Sequence, residues 1–253
     1  MSGRRLLADA APVVAAAAIF VLAWKALVVV GNWQPFVLPA PETVGARFVR
    51  AWTDGTMAPH AATTLVEIAL GLAAGAGTAL LVGYFLARSP LAERLFSPYI
   101  VAAQSTPVLA LAPLFALWFG TGLLSKVLMC AIIVFFPVAV ATMVGIRQVD
   151  RDLLEMSRSF RATRAQRLLL IEVPGALPSI FGGLRVGVTL AVIGAVIAEW
   201  SGADRGLGLL VVLARGSLFD VPLMFAALLS IALLGVGLYL VVVVLERRLV
   251  GVR

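Results

Sequence analysis

Six stretches of about 20 mostly apolar residues run along this chain, each long enough to cross the roughly 30 Å hydrocarbon core of a bilayer as a helix. They fall near 10–30, 63–87, 98–119, 123–146, 179–200 and 221–245. The rest of the chain is short segments between them. Composition agrees: 62% of the 253 residues are apolar and 13% charged, against roughly 45–50% and 25% in soluble proteins. A soluble fold of this size could not enclose so much apolar surface in one core. The expected fold class is therefore all-α integral membrane, with six transmembrane helices. The 23 glycines and 13 prolines are scattered through apolar runs without a period, which excludes a collagen-like fibre and disorder.

Arginine placement sets the expected orientation. With the N-terminus inside, the inner segments hold Arg4, Arg5, Arg88, Arg94, Arg147 and the arginines of 151–167, and then Arg247, Arg248 and Arg253. The outer segments hold Arg47, Arg50, Arg205 and Arg215, with Lys126 at a boundary. Both termini are expected in the cytoplasm. The first apolar stretch is too long for a signal-peptide core and carries Trp24 and Lys25, so it reads as a retained helix. The net charge of +7 is explained by basic loops facing anionic headgroups, and no nucleic-acid partner is expected. An outer amphipathic stretch at 43–52 is expected to lie along the membrane surface.

Several chemistries are missing from the sequence. Neither lysine, Lys25 or Lys126, follows a Gly-rich phosphate loop, so the chain has no P-loop of its own. One histidine (His60) and one cysteine (Cys130) cannot build a metal site. No nucleophile elbow is present. The chain is read as not an enzyme. Lys25, Glu67, Arg185 and Glu199 are ionisable groups within apolar segments, and all four are expected to reach an interface by snorkelling. The Gly71/Gly75 and Gly183/Gly187 pairs have G-x-x-x-G spacing, which serves either packing within one subunit or a seam between subunits.

The long inner segment is the most informative. It reads Glu155-Met156-Ser157, then Arg161, then Ile171-Glu172-Val173-Pro174. It resembles the EAA loop of binding-protein-dependent ABC import permeases: Glu-Ala-Ala, three residues, Gly, nine residues, Ile, one residue, Leu-Pro. Glu155, Ile171 and Pro174 match, Val173 stands in for Leu, and Met156, Ser157 and Arg161 depart from the pattern. Pro107, Ala110, Pro113-Leu114 and Trp118-Phe119-Gly120-Thr121-Gly122 resemble the third-span region of the nitrate/sulfonate/taurine branch. The run from Glu199-Trp200 to Gly206-Leu207-Gly208 resembles that branch's outer loop after the fifth span. Within the branch, 191–208 is most similar to permeases for thiamine-pyrimidine precursors or riboflavin, ahead of sulfonate, taurine or nitrate.

The resemblance implies a methionine-importer-like type I permease fold. Residues 1–56 would hold a cytoplasmic tail, the first helix and the outer amphipathic segment. Residues 57–246 would form the transmembrane domain, with a coupling loop at about 150–174, and 247–253 a cytoplasmic tail. It implies a bacterial inner-membrane location, a permease homodimer, a cytoplasmic ABC ATP-binding subunit that binds the ATP, and an extracytoplasmic substrate-binding protein. No cofactor is expected in this chain. Glu155, Ser157, Arg158, Arg161, Arg164, Ile171 and Pro174 would couple to the ATPase subunit. Gln104, Thr106, Trp118, Glu199 and Trp200 are candidates for the translocation path, although Trp200 would equally suit an interfacial aromatic belt. The alternative function is an ion-coupled secondary carrier. It would need buried paired charges or inverted repeats, and neither is legible in the sequence.

Three structural expectations accompany the loop. Residues 168–171 should pack it against the membrane-domain core. Pro174 and Pro178 should end its helix before the fifth span. Arg161 replaces the pattern's glycine, so the turn there should use negative φ; otherwise the arginine accepts strain and gains an ATPase contact.

Overall fold

The computed structural model describes residues 2–105 and 107–251. Every regular element among the described residues is helical. In chain order these are α1 Ser2–Val30, α2 Pro41–Thr53, α3 Met57–Arg88, α4 Pro90–Ser105, a 3₁₀ turn Val108–Leu111, α5 Ala112–Phe119 and α6 Leu123–Arg147. Then follow α7 Arg151–Ser159, α8 Arg164–Arg167, a π-helical turn Leu168–Glu172, α9 Val173–Trp200, α10 Leu207–Arg215 and α11 Val221–Val250. Five described helices are long and apolar enough to cross a bilayer: Pro12–Val30, Met57–Arg88, Leu123–Arg147, Arg164–Trp200 and Val221–Val250. The stretch expected as a third continuous span is broken instead into α4, the 3₁₀ turn and α5. Pro107 and Pro113 flank that turn and remove backbone donors a continuous helix would need.

Two compact units make up the chain. One takes Met1–Ala58 and Leu210–Leu229. In it Trp24 stacks on Phe225, with ring centroids 5.7 Å apart. Arg47 Nε donates to Asp220 at 2.8 Å, and Lys25 donates to Glu42 at 3.1 Å. The amphipathic stretch of the sequence is the helix α2, with Pro41 in its first turn and Glu42 near its positive end.

The other unit takes Pro59–Leu209 and Ser230–Arg253. Its core is α6, held between α3 and α9. Ile68, Ala76 and Ala79 of α3 meet Cys130, Val134, Val138 and Ala139 of α6, and Ala191, Val192 and Ala195 of α9. Small residues make this closeness feasible. A Cβ on Gly75 would collide with the Ala131 backbone, and one on Gly183 with Ala141 and the Pro137 carbonyl. Both G-x-x-x-G pairs therefore serve packing within the chain, where close backbone approach supplies the dispersion contact that lipid cannot. Cys130 is buried and unpaired in this seam, a packing residue as its place in an apolar run implied.

Candidate functional site

The segment between α6 and α9 is built from local rules. Asp150 caps α7 by accepting from the Asp152 N–H at 2.8 Å. At the other end, Ala162 N–H donates to the Ser157 carbonyl and Arg161 N–H to the Arg158 carbonyl, both at 2.9 Å. This is a Schellman stop, and it needs a left-handed residue at the position Arg161 occupies. Arg161 has φ +56°. The expected negative φ is thus corrected: the hydrogen bonds that end α7 impose the strained conformation. Thr163 and Gln166 then form a reciprocal capping box that starts α8, at 2.8 and 3.2 Å.

The chain does not break before the next span. The Val173 N–H donates to the Leu168 carbonyl, five residues back, so the helix widens into a π turn. Pro174 explains this: it has no N–H, and its ring would crowd the carbonyl four residues earlier in a regular helix. Pro178 also lies inside α9. The expectation that these prolines end the helix is corrected. Arg164–Trp200 is one continuous rod, in which Pro174 widens a turn without ending it. The expected packing of 168–171 onto the core is corrected too, since Leu169 and Leu170 are exposed and only Ile171 and Leu168 are part-buried.

The coupling candidates therefore lie together on one surface element. Glu155, Arg158, Arg161, Arg164 and Pro174 are exposed. Ser157 is buried, donating to the Leu154 carbonyl at 2.7 Å, so it stabilises the helix instead of facing a partner. The charge-centred reading of the sequence overlooked Leu153, Met156 and Phe160. Their spacing places Leu153 and Met156 on one face of α7 with Phe160 at its C-terminal cap, and all three are exposed, Phe160 at 80%. That spacing was the available signal.

Both ends of this segment tie back to the corner between α3 and α4. Arg147, the last residue of α6, bridges to Glu93 at 2.6 Å and donates to the Leu86 carbonyl at 3.0 Å. Glu172, in the π turn, is 2% exposed and accepts from Arg88 at 2.5 and 2.6 Å. Tyr84 supports the same guanidinium, 3.2 Å from its Nε.

The path candidates do not converge. Gln104 lines a groove of about 560 Å³ with Ile100, Pro137, Val140, Ala141 and Val144. Trp118 is exposed on α5 beside Phe115. Thr106 lies outside the described residues. Trp200 is exposed and donates its indole N–H to the Gly208 carbonyl at 3.1 Å. Glu199 is fully enclosed. Thr64 donates to it at 2.6 Å, and the Gly208 and Leu209 N–H groups, orphan donors of the first turn of α10, point at its other oxygen. A Cβ on Gly206 would overlap its carboxyl.

Two of the four in-span ionisable groups lie at the surface of the chain. Lys25 and Arg185 have 53% and 36% of their side chains exposed, and Arg185 pairs with Glu246. Glu67 and Glu199 are corrected to buried residues, at 1% and 0% exposure. Glu67 neighbours Glu199, with Lys126 within electrostatic reach. Lys126 is itself buried and donates to the Thr121 and Gly122 carbonyls. Short helix-end distances suggested an interface, but the Thr64, Gly208 and Leu209 donors offset the cost of an interior position for Glu199.

The α7–α8 segment is thus a loop held at both ends on helices long and apolar enough to cross a membrane. Residues 79–251 match the family described as binding-protein-dependent transport system inner membrane component, and the chain belongs to that family. It is an ABC transporter permease, a multi-pass membrane protein. Permeases of this kind work with an ATP-binding subunit and a substrate-binding protein. The riboflavin transport system permease protein RibX of Chloroflexus aurantiacus is 42% identical over 90% of this chain and 84% of its own. The formylaminopyrimidine transport permease protein ThiX of Halalkalibacterium halodurans is 37% identical over 80% of each. The taurine transport system permease protein TauC of Escherichia coli is 32% identical over 92% of this chain and 86% of its own.

Proposed function

We propose that this chain is the membrane subunit of an ATP-driven importer for a small heteroaromatic nutrient, a pyrimidine-type thiamine precursor or riboflavin, ahead of a sulfonate, taurine or nitrate. Residues 57–246 form the transport domain, and two copies enclose the path. Both termini face the cytoplasm and the membrane is the bacterial inner membrane. The chain needs no cofactor, because ATP is bound by the partner ATPase.

The observation that carries the reading is the α7–α8 segment. Leu153, Met156 and Phe160 offer an exposed apolar face, ringed by Glu155, Arg158, Arg161 and Arg164. That is a surface suited to a groove on another protein, with apolar area for affinity and charges for register. Its continuity with α9 gives any movement of the groove a lever into the membrane. ATP binding draws the two segments together and opens the path outward; hydrolysis resets it. This is alternating access driven by a contact energy that differs between two states. The substrate preference is supported by the higher identity to the riboflavin and formylaminopyrimidine permeases than to the taurine permease.

The test has two arms. The chain is purified with its ATPase, and uptake is followed in proteoliposomes with the binding protein. Uptake requires ATP and is lost in Glu155→Lys, which reverses a docking charge. Uptake by this chain alone, driven by an ion gradient, would favour the carrier. Calorimetry on the binding protein assigns the solute; tight taurine or nitrate binding with no response to flavins or pyrimidines would remove the narrower substrate.

A further inference from the structure

The two ends of the α7–α8 segment are anchored separately, yet both anchors reach one place. Arg147 at the entry and Glu172 at the exit are distant in sequence. Arg147 holds Leu86 and Glu93, and Glu172 holds Arg88. Leu86 and Arg88 end α3, and Glu93 lies in the first turn of α4. Leu86 and Ala92 at this corner are buried, so it is packed instead of free to swing. The Glu172 carboxyl is buried and both its oxygens are taken by one arginine nitrogen. The Arg88 side chain is 42% exposed and the carboxyl 2%, so removing Arg88 would strand a buried charge, and the carboxyl holds its place only while the pair is kept. The π turn, one residue longer than a regular turn, sets the rotation of Glu172.

We propose that these two anchors form a clamp that transmits displacement of the α7–α8 segment to the α3–α4 corner, with Glu172 as its positioning residue. The inference rests on the ABC permease reading above. A segment tied at one end would swing on the other. Tied at both ends to the same corner, it moves that corner with it, and α4 carries the motion to Gln104. Glu172 touches neither solute nor nucleotide. It acts through Arg88, and the π turn imposed by Pro174 sets its place.

The test separates movement of the loop from movement of the corner. The complex of this chain with its ATPase is labelled with a bimane fluorophore at either Arg151→Cys, on α7, or Arg94→Cys, on α4; both positions are exposed, and the native Cys130 is buried. ATP with vanadate is added, and the spectral shift at each position is read. In the wild-type background both positions respond. In Glu172→Gln and in Arg88→Gln the Arg151 position still responds and the Arg94 response is lost. The double variant Arg88→Glu with Glu172→Arg regains it, which assigns the loss to the ion pair; a general loss of structure would have removed the Arg151 response as well. Should Glu172→Gln not assemble, the more exposed pair is used: Arg147→Gln and Glu93→Gln each reduce the Arg94 response and spare that at Arg151. An Arg94 response that persists in these variants would overturn the clamp, as would parallel loss at both positions without rescue by the swap. No response at either position in the wild-type background would sink the importer reading itself.

Discussion

Helix α9 carries a buried carboxyl at each end, and the two are held in opposite ways. Glu172 faces one guanidinium, Arg88, from the end of another helix. Glu199 faces no cation among its hydrogen-bond partners; a hydroxyl, two backbone N–H groups and the Glu67 carboxyl surround it. A side-chain ion pair can stay joined while its helices shift, because both partners have rotamers. Backbone donors cannot follow a carboxyl without unwinding the turn that presents them. The Glu199 end therefore fixes the 201–209 loop onto α3 and α9, and the Glu172 end is the adjustable one. One rod is pinned at one end and coupled at the other.

The sharpest way to break this contrast is Glu199→Ala. It leaves the Gly208 and Leu209 N–H groups without that acceptor, while the Thr64 hydroxyl keeps the His60 carbonyl, at a cost of on the order of 2 kcal/mol or more. Thermal unfolding in detergent should show a larger loss than for any substitution at the Glu172 end. Glu199→Gln keeps one oxygen and should lose less. Equal, small effects for both would mean that the loop does not depend on this carboxyl. Gly206→Ala tests the same end from the loop side. Its Cβ would meet the Glu199 carboxyl, and φ is +144° there. We expect a loss of about 1–3 kcal/mol, with the Glu172 end untouched, so the ATP-driven bimane response at Arg94 should survive.

The sequence made the helical membrane class legible because length and hydropathy are local properties. It made the motif between α6 and α9 legible because its spacing lies within a single stretch. The two buried acids were not legible in the same way. Glu172 sits inside the recognised motif, but its partner is 84 residues away, and a motif says nothing of a contact at that range. Glu199 looked interfacial because it stands at the end of an apolar run. Its burial depends on Thr64, 135 residues earlier. The nearby pair Gly206 and Gly208 was the one local hint, since glycines admit a close approach to a carboxyl. The prolines misled for a different reason. A proline removes one donor, and whether the helix ends or widens depends on whether packing holds the next turn. Here Ala176 and Ile180 are buried against Ile146, so α9 continues.

Arg161 sharpens the comparison at the adjustable end. Its φ of +56° is set by the Schellman bonds that end α7. Left-handed geometry costs a non-glycine residue about 1–2 kcal/mol. Arg161→Gly should therefore raise thermal stability by about 1 kcal/mol, a gain read from unfolding in detergent. The same variant decides what the strain is for. If the exposed guanidinium contributes to the motor contact, ATPase co-purification weakens while the isolated permease becomes more stable. A variant that is no more stable would mean the turn relaxes without its arginine, and the geometry at the end of α7 would need revision.

The smallest expected effect supplies the scale against which both buried acids are judged. Glu42 is a carboxyl on the surface, paired with Lys25; the side chains are 59% and 53% exposed. Its own backbone N–H, and then Lys25, hold its pKa below the ordinary 4.5. A carboxyl with a depressed folded-state pKa contributes stability that is present at neutral pH and is lost as pH falls through the folded value. Any contribution from Glu42 should thus be constant from pH 7 down to its ordinary range and disappear only below it. Solvent and salt screen such a pair, so exposed ion pairs commonly contribute little. Lys25→Gln should leave the melting temperature at pH 7 unchanged within error. Its acid limb should also follow the wild-type curve, because the backbone N–H is the larger cause of the depression. A drop of several degrees in Lys25→Gln would show that a screened pair can matter as much as an enclosed carboxyl. The contrast between the two ends of α9 would then have to rest on what each end moves, since burial would no longer separate them.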